Sequence, residues 1–359
     1  IGAISAGNSV MLVLPDTNYT HHTSNLLYKL FKLNFPETSY INVMHGGKEN
    51  IELLLKYKWD FIFYTGSKRV GGIIYKKAAE NLTPTVLELG GKSPCIINSD
   101  INKLLIKRIV WGKFTNNGQT CIAPDYILIN KKYASKILKE ITNTIIDFYG
   151  VNQIESMDLS RIVNKDHFNR LNNIIEKDNN HLYFGGQTIK SALYIQPTIL
   201  DFGDNIDKFL NSESMKDEIF GPIIPVFQYN SIKDVLKVVD KHPTPLTAYL
   251  FGNNVDVYSK LIKSGSVVYN DTLMQMDTPL PFGGIGTSGI GNYHGKYTFD
   301  TFSYQKAILK RGTIGEIPLR FPPYNNIFGL GLMDKISRYV KNSRLIYNSF
   351  FIFLIWIAF

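Results

Sequence analysis

The sequence predicts an α/β protein made of two successive α/β units. Strand-like apolar runs alternate with helix-like patterns through the first third of the chain, the signature of βαβ units around a parallel sheet. A second alternating series starts at Thr85 and shows no internal repeat of the first. With 359 residues, 44% hydrophobic and 19% charged, the chain can bury one large core or two moderate ones, so fibrous and disordered classes are excluded.

In chain order, the first unit reads as strand Val10 to Leu14, helix Ser24 to Leu33, strand Tyr40 to Met44, helix Asn50 to Tyr57 and strand Asp60 to Tyr64. That last strand runs into Thr65-Gly66-Ser67-Lys68-Arg69-Val70-Gly71 and a helix to about Asn81. A glycine turn between a strand and a helix start lets free backbone N–H groups face a phosphate, although this one is not GxGxxG. The second unit reads as strands Thr85 to Leu89 and Cys95 to Asn98, helix Ile101 to Phe114, strand Tyr126 to Asn130 and helix Lys132 to Tyr149. Strands at Leu193 to Leu200, Ile223 to Gln228, Leu246 to Gly252 and Ser266 to Asn270 continue it. Gly283 to Gly291, preceded by Pro279 and Pro281, reads as an exposed functional loop.

The net charge of +9 is spread along the chain without a block of five like charges, so no nucleic-acid arm is expected. A basic surface suits an anionic cofactor and an anionic membrane equally well. Cys95 and Cys121 are the only cysteines, which excludes a disulfide framework and points to a reducing compartment. Ile1 to Asn8 reads as domain interior rather than as a signal peptide, so the natural beginning is expected to lie upstream. The seven histidines show no metal-ligand spacing, His21-His22 reads as a solvated turn, and no metal is expected.

The carboxy-terminal region has another character. Lys335, Arg338, Lys341 and Arg344 recur at every third position, and Phe350 to Phe359 carries no charge. Counted from Leu345 the apolar run is 15 residues, short of the roughly 20 that span a bilayer as a helix. Aromatic and apolar residues beside cations favour a membrane anchor over a segment that packs on the body or on a partner subunit.

Four motifs in order, Glu88-Leu89-Gly90-Gly91-Lys92-Ser93-Pro94, Gly118-Gln119-Thr120-Cys121, Glu218-Ile219-Phe220-Gly221-Pro222 and Pro281-Phe282-Gly283-Gly284, resemble the aldehyde dehydrogenase superfamily. Trp111-Gly112-Lys113, Cys121 to Tyr126, Tyr293 to Lys296 and Phe299 to Ser303 are similar to its class 3 branch, which includes fatty aldehyde dehydrogenases. The resemblance runs from Ile1 to about Lys306. It implies an aldehyde dehydrogenase-like fold, a truncated Rossmann-like cofactor domain plus an α/β catalytic domain. The expected division is a partial NAD(P)-binding domain at 1–90, a catalytic domain at 91–282, a return segment and oligomerisation strand at 283–311, a basic linker at 312–344 and an apolar membrane-associating tail at 345–359.

The resemblance implies oxidation of an aldehyde, medium- to long-chain and aliphatic, to the acid, with NAD or NADP as cofactor. It implies Cys121 as nucleophile and Glu88 as general base, Glu218 on the nicotinamide ribose with Phe220 against the ring, and Gly66, Ser67, Lys68, Arg69, Val70 and Gly71 at the cofactor. A homodimer on the cytosolic face of the endoplasmic reticulum membrane, or otherwise in the cytoplasm, is the implied setting. A free thiol, with a pKa near 8.5, is a strong nucleophile only as thiolate and gains from a positive environment. Attack gives a thiohemiacetal, loss of hydride gives a thioester, and hydrolysis needs a base, typically worth a factor of about 10² to 10⁴. Cys95, in an apolar strand, reads as a small core residue.

Two departures stand out. The family's strand after Gly-Asn ends in Lys-Pro-Ser-Glu, whose lysine and glutamate bind the adenosine ribose; here Leu12-Val13-Leu14-Pro15-Asp16 offers no cation. One lost charged hydrogen bond weakens binding by about 1.5 to 3 kcal/mol. Family members also carry a longer amino-terminal segment with an asparagine of the oxyanion hole, one donor there being worth about 10² to 10³ in rate. A catalytically impaired binding or scaffolding subunit is therefore the alternative, and transfer of the acyl group to coenzyme A is a third, disfavoured by Glu88.

Overall fold

The computed structural model describes residues 1–36, 40–314, 320–322 and 334–335. Ile1–Tyr304 forms one compact unit and Gln305–Phe359 a second. The first holds both α/β layers and every element discussed below.

Its centre is a seven-stranded sheet in the order Ser266–Tyr269, Thr247–Phe251, Pro94–Ile97, Tyr126–Asn130, Ile223–Tyr229, Thr198–Asp201 and Leu182–Phe184. All pairs are parallel except the last. Strands such as Pro-Cys-Ile-Ile and Tyr-Ile-Leu-Ile-Asn are continuously apolar because both faces are covered by helices. Lys103–Phe114 and Ala134–Tyr149 close one face through Ile106, Ile109, Ile137 and Ile141. Lys165–Lys177 and Ile232–Asp240 close the other through Phe168, Leu171, Val235 and Val238. Cys95 lies at 0% exposure in the central strand, where burial pushes its thiol far up.

Beside this sheet, Val10–Leu14 pairs in parallel with Ile41–His45. Thr85–Glu88, expected to open the second α/β series, instead pairs in parallel with Ile62–Thr65 of the first. The strands expected at Tyr40 to Met44 and Asp60 to Tyr64 are thus each shifted toward the carboxy terminus by a residue or so.

Three further readings change. The strand expected at Leu193 to Leu200 is broken into Tyr194–Ile195 and Thr198–Asp201, because Pro197 has no N–H for a ladder. His21-His22 lies inside helix Thr17–Asn34 rather than in a turn. Gly283 to Gly291 is not an exposed loop throughout: Ser288 and Gly289 are buried, and Gly289–Ile290 adds an antiparallel strand to Thr85–Glu88. Basic residues Arg338, Lys341 and Arg344 and the apolar tail from Leu345 lie outside the described residues. Among the described residues, no helix is long and apolar enough to cross a membrane.

Candidate active site

The loop carrying Cys121 is shaped by its own sequence. Helix Lys103–Phe114 ends where Asn116 and Asn117 take positive φ of 51° and 57°, followed by Gly118 at 72°. Asn and Gly are the residues that enter this left-handed region most readily. Gly118 is further required because a Cβ there would collide with the Gly221 carbonyl, so the Cys121 loop and the Glu218-Phe220 loop meet backbone to backbone. Gln119 then fixes the turn: its Nε2 donates to the carbonyls of Asn116 (3.1 Å) and Arg161 (3.0 Å), and its Oε1 accepts from Val163 N–H (2.9 Å). Cys121 sits half-buried beside the apolar cluster of Ile122, Leu246, Leu273 and Phe282.

Glu88 ends the middle strand of the three-stranded sheet, opposite Thr65 on one side and Gly289 on the other. It is 2% exposed, and among the described residues neither carboxylate oxygen has a hydrogen-bond partner. Burial pushes its carboxyl up to about 8.

Glu218 fills the space that Gly90 leaves empty, since a Cβ at Gly90 would strike its carboxylate. Burial and then the charge of Asp125 raise Glu218 to about 8, against the opposing effects of the Gly91 N–H and Lys92. Phe220 adopts φ +49°, unusual for a bulky residue and costing of order 1–3 kcal/mol.

The Cys121 thiol is pushed up to about 11, chiefly by burial and then by the negative charges of Glu218 and Glu88. The positive surroundings expected of an activated thiol are thus replaced by two carboxyls, and the thiol needs a base to take its proton. Packing brings these segments together across up to 130 positions of sequence: Gly118 of the Cys121 loop meets the Gly221 carbonyl, and Gly90, two residues after Glu88, meets the Glu218 carboxylate.

The cofactor turn is formed as expected from its pattern. Gly66 and Ser67 join strand Ile62–Thr65 to helix Lys68–Glu80, and Ser67 Oγ caps the helix by accepting from Val70 N–H at 3.4 Å. Lys68 and Arg69 are exposed in the first turn. Gly71 lies deeper, where a Cβ would meet Leu89 Cδ2 at 2.6 Å, so it serves close packing of helix on strand beside Glu88. Leu14, at the end of Val10–Leu14, is buried and offers no polar group to an adenosine.

Several charged residues packed around these loops escaped the sequence reading. Lys92 and Asp125 form a buried ion pair at 2.5 Å with side chains 3% and 4% exposed. Both lie inside quoted motifs, but their pairing across 33 positions leaves no mark on the sequence. Lys113 is fully buried between helix and site, and burial lowers its ammonium to about 8. Arg170 donates to the carbonyl of Ile219 at 2.7 Å and carries no sequence signal at all.

Comparison with known proteins decides the family: residues 1–308 match the model of the aldehyde dehydrogenase family. The chain belongs to the aldehyde dehydrogenase family. It is 43% identical over 333 residues to aldehyde dehydrogenase family 3 member H1 of Arabidopsis thaliana, covering 90% of this chain and 67% of that protein. It is 40% identical over 330 residues to the dimeric NADP-preferring aldehyde dehydrogenase of Rattus norvegicus, covering 90% and 71%. The solved substrate-bound Staphylococcus aureus AldH superposes with a TM-score of 0.86 at 38% identity, covering 93% of this chain and 72% of that one. This aldehyde dehydrogenase thus spans about two thirds of the length of its relatives. Its reaction class is NAD(P)-dependent oxidation of an aldehyde to the acid.

Proposed function

We propose that Cys121 and Glu88 carry out this oxidation on medium- to long-chain aliphatic aldehydes, with Glu218 and Phe220 at the cofactor. The observation that carries the reading is the packing of three motif segments on one another: Gly118 of the Cys121 loop lies against the Gly221 carbonyl, and Gly90, two residues after the buried Glu88, lies against the Glu218 carboxylate. The Gly66-Ser67 turn fits a dinucleotide: it precedes a 13-residue helix whose first N–H groups, with Lys68 and Arg69, suit a diphosphate. NAD(P), when bound, supplies the hydride acceptor.

The residues then act in sequence. A carboxylate, Glu88 or Glu218, accepts the thiol proton, and Sγ attacks the aldehyde carbon to give a thiohemiacetal. Collapse of the oxyanion expels hydride and leaves a thioester on Cys121. Glu88, having passed any proton it took to solvent, accepts one from water; the hydroxide adds to the thioester carbon, Sγ leaves as thiolate and regains a proton from the carboxyl, and the acid departs. A carboxyl with a pKa near 8 is well matched to this role, because it can both gain and release a proton near neutrality.

The chain-length preference rests on the class 3 resemblance and on the apolar run from Leu345, which would hold the enzyme at a membrane where such aldehydes partition. We assign it to the cytosolic face of the endoplasmic reticulum membrane, as a homodimer. Deletion of residues 345–359 should move it to the soluble fraction; an unchanged distribution would remove the anchor.

The decisive assay is NADH or NADPH formation from hexadecanal by the folded protein, with Cys121→Ser as control. Turnover abolished by that substitution supports the reading. No turnover by folded wild type, with Cys121→Ser equally silent, would leave a binding or scaffolding subunit, the reading that Leu14 in place of a cation favours.

A further inference from the structure

Residues 213–219 have little regular structure: one short 3-10 turn at Glu213–Met215, then an open run into Phe220. Four charged side chains from three parts of the fold hold this backbone instead, Arg170 and Asp178 sharing helix Lys165–Lys177 and its cap. Asp178, capping the end of helix Lys165–Lys177, accepts from the N–H groups of Glu213 (3.0 Å) and Ser214 (2.8 Å). Lys92 Nζ donates to the carbonyls of Ser214 (2.8 Å) and Asp217 (3.0 Å) while pairing with Asp125 Oδ2. The other oxygen of Asp125 accepts from Ile219 N–H at 2.9 Å. Arg170 donates to the Ile219 carbonyl from the opposite side, with a longer contact of 3.4 Å to that of Glu218.

We propose that Lys92, Asp125 and Arg170 form a positioning clamp that fixes the Glu218 carboxylate and the Phe220 ring for cofactor binding. The inference rests on the proposed assignment of Glu218 and Phe220 to the cofactor. Its physical content is that both backbone polar groups of Ile219 are gripped, the N–H by Asp125 and the carbonyl by Arg170, so the two peptide groups flanking it are fixed. That grip lies directly between the two residues to be placed. A strained φ at Phe220 persists only where its surroundings over-determine it, and ladder hydrogen bonds do not do so here. The buried Lys92–Asp125 pair is self-neutralising, so Lys92 can give its remaining donors to two carbonyls without leaving a bare charge.

The clamp is tested by hydrogen–deuterium exchange across 214–221, cofactor KM and kcat in Lys92→Met/Asp125→Leu, Arg170→Gln and Arg170→Lys. The double substitution removes both charges together and replaces them with apolar groups. The Arg170 variants leave the buried pair intact and keep the test open if the double variant does not fold. Expected are exchange and KM for NAD(P) each raised about 10-fold in the folded double variant and in Arg170→Gln, and partial recovery in Arg170→Lys. Unchanged exchange in folded variants would overturn the clamp, and faster exchange with unchanged KM would overturn its role in cofactor placement. Faster exchange in variants of a wild type that binds no NAD(P) would retain the clamp and instead refute the cofactor assignment of Glu218 and Phe220.

Discussion

Replacing Glu88 by Gln separates the two consequences of burying an unpaired carboxyl. In the folded protein this group is held near 8, against an ordinary value of 4.5, because burial strips it of water and no hydrogen bond among the described residues compensates. The folded state therefore binds the proton more tightly than the unfolded chain. Below about 4.5 both states are protonated and nothing is lost. As pH rises from there to about 8, unfolding releases a proton and stability falls; above 8 the full penalty, at most about 5 kcal/mol, is present. Gln keeps the shape and never ionises, so its stability relative to wild type should improve with pH, by about 3 kcal/mol between pH 5.5 and 9. Glu218, raised in the same direction, is common to both proteins and cancels. Equilibrium urea unfolding followed by tryptophan fluorescence at the two pH values measures this difference. The same variant should lose a factor of about 10² to 10⁴ in turnover. A stability difference that does not change with pH would refute the desolvated carboxyl, and with it the tuned base.

Other outcomes follow from the same geometry. In wild type, kcat/KM should rise with pH through about 8 as the buried carboxyls ionise, and this limb should be altered in Glu88→Gln; a flat wild-type profile would contradict the assignment. Alkylation of Cys121 by iodoacetamide without cofactor should still be increasing at about pH 10, since the thiol is held near 11; a midpoint near 8.5 would show an ordinary, unburied thiol. Lys92→Met alone should destabilise the fold by about 3 to 5 kcal/mol in urea unfolding, because it strands a buried Asp125, whereas the double substitution with Asp125→Leu should recover much of that loss. Gly118→Ala should lower both stability and turnover, because it forces a Cβ into the Gly221 carbonyl at positive φ; wild-type turnover would show that the two loops are not locked together.

The sequence by itself determined the α/β class, most of the strands it marked to within a residue or two, and the order of the motifs; helices such as Lys165–Lys177 and Ile232–Asp240, which close one face of the main sheet, went unread. What was legible is local: apolar period sets strand against helix, and Asn-Asn-Gly before Gln-Thr-Cys carries the backbone preferences of the turn that presents Cys121. The break at Pro197 was equally local, and the absent N–H could have marked it. The strand at Gly289–Ile290 could not be read in the same way, because its glycines pair only where Thr85–Glu88 offers an edge.

Tertiary structure alone decided the electrostatics. The Cys121 thiol is raised by burial and by the charges of Glu218 and Glu88, and the Glu88 oxygens find no hydrogen-bond partner among the described residues. Lys92 finds Asp125, and Arg170 finds the Ile219 carbonyl, across separations that no local pattern encodes. Residue type sets what a side chain can do, but the loss of water and the nearest charge set its protonation, and both depend on the packing of distant segments.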